Sequence, residues 1–425
     1  SATVGRGDAG NITLKVDNLT VRNGSYIQTA TYADGNAATL NLIATKSVDI
    51  GRLGDDVFSY LGSFAFSDSS GDAGNLNITT PQLNLEEGFI FANTSGSGNA
   101  GDITLELNNL NMRGDFYGSQ IATGTFADGN GGNLAINATD SIEIAGGDNN
   151  IFATGLFSSA VSGSTGDAGS LNINSNQINV RNGAGISVSN LGSGNTGNLN
   201  LNADNIFLDN QATLEAETIA GNQGNINLNS KFIQLRRKSN ITTNATGTAN
   251  GGNITINSPV IAGFEDSDII ANAVEGNGGN IEIATQGLFG LKFRDQLTDK
   301  SDITASSEFG INGTVQINNV GIEPSSGLVE VPELINTDVV IANSCVARRN
   351  QQDSTFYITG KAGFPYVPGE AVPSDYSMFE VRALSDNTSL KTSVSQSNKN
   401  NSIVEATGIY RLENGEQILG RECNM

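Results

Sequence analysis

The stretch GNGGNIEIA, Gly276 to Ala284, places a flexible Gly/Asn corner directly before an apolar alternation at Ile281 and Ile283. Near-copies run along the chain: DAGNITLKV from Asp8, DAGNLNITT from Asp72, GNTGNLNLN from Gly194, GNQGNINLN from Gly221 and ANGGNITIN from Ala249. The glycine opening each copy falls at Gly74, Gly101, Gly132, Gly169, Gly197, Gly224, Gly252 and Gly279, with separations of 27, 31, 37, 28, 27, 28 and 27 residues. Gly10 opens the series, a degenerate copy lies near Ala37 to Leu42, and a weaker one sits at Gly313, which gives about eleven units. A fixed period of this size marks a solenoid, in which each unit buries its apolar face only against its neighbours.

One unit identifies the kind of solenoid. From Gly197 the chain runs Leu199 and Leu201, then Ile206 and Leu208, then Leu214 and Ala216. Each pair has the i, i+2 spacing of a strand with one buried face, and no window keeps the spacing of an amphipathic helix. Three short strands per turn, paired in parallel between turns, describe an all-β fold: a right-handed parallel β-helix, the hand following that of parallel crossovers. At about 4.8 Å per coil the rod is on the order of 50 Å long. The recurring glycines and asparagines are expected where the chain turns through positive φ. Asn11, Asn75, Asn133, Asn198, Asn225, Asn253 and Asn280 recur at one corner and are expected to stack as an amide ladder.

The chain carries 22 Lys plus Arg against 44 Asp plus Glu, a net charge of −22, with no His and no Trp. That balance disfavours nucleic acid, whose phosphates need a basic face. No apolar run approaches a membrane span. The first residues already read as repeat rather than as a signal peptide, so the array is expected to continue from something upstream.

Three regions follow: a β-helix over 1–322, a linker or last coil over 323–335, and a capping or anchoring module over 336–425. EPSSGLVEVPE, Glu323 to Glu333, breaks the period with two prolines. Beyond Cys345 there are 8 basic and 9 acidic residues, leaving 14 against 35 before it, so the acidity belongs to the solenoid. DVVIA (Asp338 to Ala342) and TFYITG (Thr355 to Gly360) read as strands of the module. Its simplest role is to close the open edge of the last coil. Cys345 and Cys423 are the only cysteines. In a thiol-poor acidic chain they are read as one disulfide, and metal binding through two thiols without histidine is disfavoured.

The Gly-Asn coils, with NSCVARRNQQDSTFYITGKAGFPYVPGEAVPSDY from Asn343, resemble the C-terminal part of filamentous-haemagglutinin-like exoproteins, particularly large cyanobacterial surface proteins. The tail pattern Cys345, Arg349, Thr359, Gly360, Gly363, Phe364, Pro365 is the more telling part of that resemblance. It implies two-partner secretion through an outer-membrane pore and an extracellular, cell-surface role as fibre, adhesin or matrix component, without cofactor. Partners would be that pore, a surface glycan or a neighbouring cell's protein, or further copies joined end to end. The family's N-terminal secretion domain is not in this stretch.

Two rival classes follow from the same residues. Carbohydrate-active β-helices cluster acidic and basic groups on adjacent coils, whereas here Asp55 with Asp56, Glu265 with Asp266 and Asp268, and Asp295 with Asp299 read as scattered turns. The trio Arg236, Arg237 and Lys238 reads as a solvated corner. Enzymatic activity is therefore not expected. Calcium is the other rival, at the oxygen-rich corners Ala127 to Asn130, Ser70 to Gly74 and Thr165 to Gly169. Asn-x-Ser/Thr triplets such as those at Asn77 and Asn253 are weak evidence for glycans. Two long units carry six aromatics, Phe58, Tyr60, Phe64 and Phe66 in one and Phe152 and Phe157 in the other. They are read as insertions that either contact a sugar or protein ligand or fold back as an apolar cover.

Overall fold

The computed structural model describes residues 1–52, 58–147, 151–319, 382–383, 408–411 and 417–420. The chain divides into two units, Ser1–Ile322 and Glu323–Met425. All regular structure among the described residues is strand.

In the first unit long and short strands alternate. β1 (Ala2–Thr3), β3 (Tyr26–Thr31), β5 (Ser59–Ala65), β7 (Gly88–Thr94), β9 (Gln120–Thr125), β11 (Gly155–Ala160), β13 (Gly185–Asn190), β15 (Thr213–Thr218), β17 (Asn240–Thr242), β20 (Ile269–Ile270), β24 (Asp302–Thr304) and β23 (Lys292–Phe293) pair in that order as one parallel sheet. The longer strands β2 (Ile12–Val21), β4 (Leu40–Gly51), β6 (Leu76–Glu86), β8 (Ile103–Arg113), β10 (Leu134–Ala145), β12 (Leu171–Arg181), β14 (Leu199–Asp209) and β16 (Ile226–Arg236) stack as the other. That second sheet continues through β18 (Ile254–Asn257), β21 (Ile281–Thr285) and β25 (Val315–Asn319), with β19 (Val260–Gly263) and β22 (Gly287–Phe289) beside it. The result is a parallel β-solenoid of about ten turns. The eleven units expected are one too many, because eleven stacked long strands enclose ten steps and Gly313 opens a coil that the described residues do not complete.

The first two alternations of each unit run on as one long strand. In β14 the burial phase reverses between Ala203 and Ile206, and the pairing with β12 skips one residue per coil, Asn176 and Asp204. The strand bends there. It separates into β18 and β19 where Ser258 and Pro259 intervene.

The core follows from the stacking. Leu40, Leu76, Ile103, Leu134, Leu171, Leu199, Ile226, Ile254 and Ile281 lie in register from coil to coil, all at most 1% exposed. Each such side chain is worth about 1.5–3 kcal/mol of burial.

The glycines have a different cause from the one expected. None of Gly74, Gly101, Gly132, Gly169, Gly197, Gly252, Gly279 and Gly313 has positive φ. Instead, a Cβ on each would strike the carbonyl of the equivalent residue one coil earlier, Gly224 under Gly252 and Gly252 under Gly279 for example. Close approach of stacked backbones requires them. Positive φ is concentrated at the other corner, after the long strand, at Asn182, at Asn210 with Gln211, at Arg237 with Lys238, and at Glu265 with Asp266, while after the short strands it is adopted by Asp68, Gly163 and Gly221.

In the second unit, β26 (Arg382–Ala383) pairs parallel with β27 (Gly408–Arg411), which pairs antiparallel with β28 (Gln417–Gly420). The linker 323–335, both strands read at 338–342 and 355–360, the tail pattern and both cysteines lie outside the described residues.

Candidate functional site

The asparagine corner forms a hydrogen-bonded ladder. Asn11 Oδ1 accepts the backbone N–H of Thr39 at 3.0 Å, and Asn75 Oδ1 accepts that of Asp102 at 2.9 Å. Asp102 then accepts from Asn133, Asn133 from Ser170, and Ser170 Oγ from Asn198. Asn198, Asn225, Asn253 and Asn280 continue the series. Thr39, Asp102 and Ser170 stand where the repeat lacks Asn. Three residues earlier runs a second ladder that the sequence reading missed: the side chains of Asp8, Asn36, Asp72, Asn99, Asn130, Asp167 and Asn195 each accept the backbone N–H of the next, ending at that of Asn222. Aligning the DAGN and GNGGN copies on their Asp/Asn position would have revealed it.

These ladders occupy the corners read for calcium. Asp72 and Asp167 each accept a backbone N–H at 2.6 Å, and Asp128 accepts from the Thr165 hydroxyl. The amide nitrogens of Asn77 and Asn253 donate to Asn41 and Asn225. Among the described residues no three acidic, His or Cys side chains converge on a point that could hold a metal.

Glu265 and Asp266, read as part of a scattered turn, meet the Arg236 to Lys238 corner of the adjacent coil. At the positive-φ corner Arg236 pairs with Glu265 at 3.0 Å, Lys238 with Asp266 at 3.9 Å, and Arg237 with Asp209. Equal repeat length puts the same corner position of successive coils side by side, which turn-by-turn reading does not convey. The Arg236 guanidinium holds the Glu265 carboxyl below its ordinary range. Behind this corner Asp268 accepts the N–H of Asp302 at 2.7 Å, and Asp302 pairs with Arg294. Burial, with Asp266 adding repulsion against the opposing pull of Arg294, raises the Asp268 carboxyl to about 6. Asp299 lines a shallow cleft with Glu265, Asp266, Lys292 and Arg294. Asp55 and Asp56 lie outside the described residues. A second, open groove runs along the bend of the long strands, lined by Thr79, Glu106, Asn137, Asn174, Asn202 and Asp204.

The aromatic residues form the most distinctive surface. Tyr60 and Phe64 are not in an insertion but on β5, on the outward face of the short-strand sheet, and Phe157 is on the same face of β11. Register places Tyr26 beside Tyr60 and Tyr60 beside Phe89. Two sets of rings result. In the first, Tyr26 and Tyr60 stack at 5.0 Å and 3°, and Tyr32 and Phe66 at 4.5 Å and 8°, with Phe64 bridging Tyr60 and Phe66. In the second, Phe58 meets Phe89, Tyr117 and Phe152 edge-on, and Arg52 lies 4.3 Å over the Tyr117 ring. The two long units therefore converge, through Phe58 and Phe152. Phe157 joins neither set; its ring lies over Gly155.

The two sets differ in what lies beneath them. Phe89 is 4% exposed beneath Phe58 and Phe152, so the second set is an apolar cover. The first set is open, with Tyr26 60% and Tyr32 47% exposed, and has a polar rim of Gln28, which accepts from the Tyr60 hydroxyl, and Asp34 paired with Arg6. Sequence reasoning missed Tyr26, Tyr32, Phe89, Phe91, Phe116 and Tyr117, because only coil-to-coil register gathers them.

No family model, curated protein or solved structure matches the chain. No helix among the described residues is long and apolar enough to cross a membrane.

Proposed function

We propose that this chain is a non-catalytic segment of an extracellular surface fibre whose open aromatic face adheres to glycan. The observation that carries the reading is the exposed Tyr26–Tyr60 and Tyr32–Phe66 stacks on one outward sheet face. Rings held by stacking on one another expose apolar edges and outer faces at little entropic cost, and their hydroxyl and amide rim supplies hydrogen bonds, which suits the mixed C–H and hydroxyl surface of a sugar. With a net charge of −22, the rod favours a neutral or cationic glycan over an anionic one. The resemblance of the coils and tail to filamentous-haemagglutinin-like exoproteins supports the surface placement and export through an outer-membrane pore.

The test is retention on neutral insoluble polysaccharides, with release of reducing ends measured in the same samples. Retention without release, lost in Tyr26→Ala/Tyr60→Ala while the fold is kept, supports the proposal. Equal retention of variant and parent would refute the aromatic contact, and released ends would promote the enzyme reading.

A further inference from the structure

Two coils beyond the aromatics, the same outward face carries an acidic pair that neither the ladders nor the ring sets use. On β15 the inward positions are Leu214, Ala216 and Thr218, which leaves Glu215 and Glu217 facing outward as next-but-one neighbours. Parallel partners point to the same side of a sheet. Register sets Ser187 of β13 beside Glu215 on one side and Thr242 of β17 beside it on the other. Both hydroxyl residues are more than nine-tenths buried, Ser187 7% and Thr242 8% exposed.

Ser187 is engaged with the Glu215 carboxyl, and Glu215 with that of Glu217. Thr242 is not engaged: its Oγ1 is buried and has no hydrogen-bond partner. A buried hydroxyl in that state is rare and marks a place for a bound water or ion. Burial first, then Glu217, pushes the Glu215 carboxyl up, so its ionised form is disfavoured here.

We infer that Glu215 and Glu217, with the Thr242 and Ser187 hydroxyls, bind a divalent cation of the calcium type on this face. Two occupants relieve two facing carboxylates, a shared proton or a cation. The proton satisfies the acids and leaves Thr242 Oγ1 unpaired; the cation satisfies all three oxygens. Hydroxyl and carboxylate oxygens with water completing the shell suit the flexible coordination of calcium better than the strict octahedron of magnesium.

Calorimetric titration of the whole chain with CaCl2, with thermal melting recorded at each concentration, tests the inference. The expected result is a saturable site, weaker for MgCl2, that is absent in Glu215→Gln/Glu217→Gln. Thr242→Val is the discriminating variant, because it removes the unpaired hydroxyl at nearly constant shape. Without calcium it should melt at or above the parent; with calcium it should bind severalfold more weakly, and Thr242→Ser should restore binding. Absence of saturable uptake by the parent, or uptake unchanged in the double variant, would overturn the inference in favour of the shared proton. Glycan retention by the Tyr26 and Tyr60 face is read separately and does not depend on this outcome.

Discussion

Asn225 Oδ1 accepts both the backbone N–H and the side-chain amide of Asn253, one coil further on, at 3.0 and 3.1 Å. One oxygen thus closes the corner of its neighbour, and the same arrangement links Asn198 to Asn225 and Asn253 to Asn280.

Removing that oxygen leaves a partly buried donor unpaired. Asn225→Ala should cost about 1–3 kcal/mol, and amide exchange at Asn253 should accelerate more than at distant coils. Asn225→Asp keeps the acceptor and should lose less. Equal exchange at Asn253 in parent and alanine variant would remove the ladder from the stability account.

The glycine stack predicts a sharp positional contrast. Gly252→Ala drives a Cβ into the Gly224 carbonyl and should destabilise strongly, whereas Gly10, around which a Cβ would meet nothing within 4 Å, should accept alanine with little change in urea midpoint. Similar midpoints for both variants would contradict the close backbone approach.

Strand register predicts a second contrast. Ile226→Asp buries an unpaired charge in a fully enclosed position and should cost several kcal/mol, on the order of the largest single-site effects. Glu282→Lys, on the exposed alternation of β21, should be nearly neutral. Equal melting of the two would sink the inward and outward assignment.

Asp268 links stability to pH. Its carboxyl titrates near 6 in the fold against 3.8 ordinarily, so the folded state holds its proton more tightly than the unfolded chain does. The sign follows: the destabilisation is absent below about 4, grows as pH rises through 4 to 6, and is fully present above 6. Asp268→Asn keeps an oxygen for the Asp302 N–H and should stabilise at pH 7, by on the order of 1 kcal/mol once solvent screening is allowed for. The gain should vanish at pH 4, and a gain equal at both pH values would assign it to another cause.

What the sequence conveyed and what it withheld divide along a physical line. The alternation of Leu199, Leu201, Ile206 and Leu208 reports burial directly, so the parallel solenoid and its inward faces were legible. The cause of Gly252 and its equivalents was misread, since a steric demand made by the preceding coil leaves the same letter as a demand for positive φ. Ser187, Glu215 and Thr242 occupy one row yet lie 28 and 27 residues apart, as their register requires. Nothing local marks such a row. The same holds for Tyr26 with Tyr60, and for Arg236 with Glu265.

The direction of the corner bonds has a consequence for assembly. In both ladders the side-chain oxygen belongs to the earlier coil and the backbone donor to the later one. A finished coil therefore presents a ready row of acceptors on the side where the next segment arrives. A chain that emerges amino end first meets a template at every step, and ordering each new turn requires only that it dock on the last.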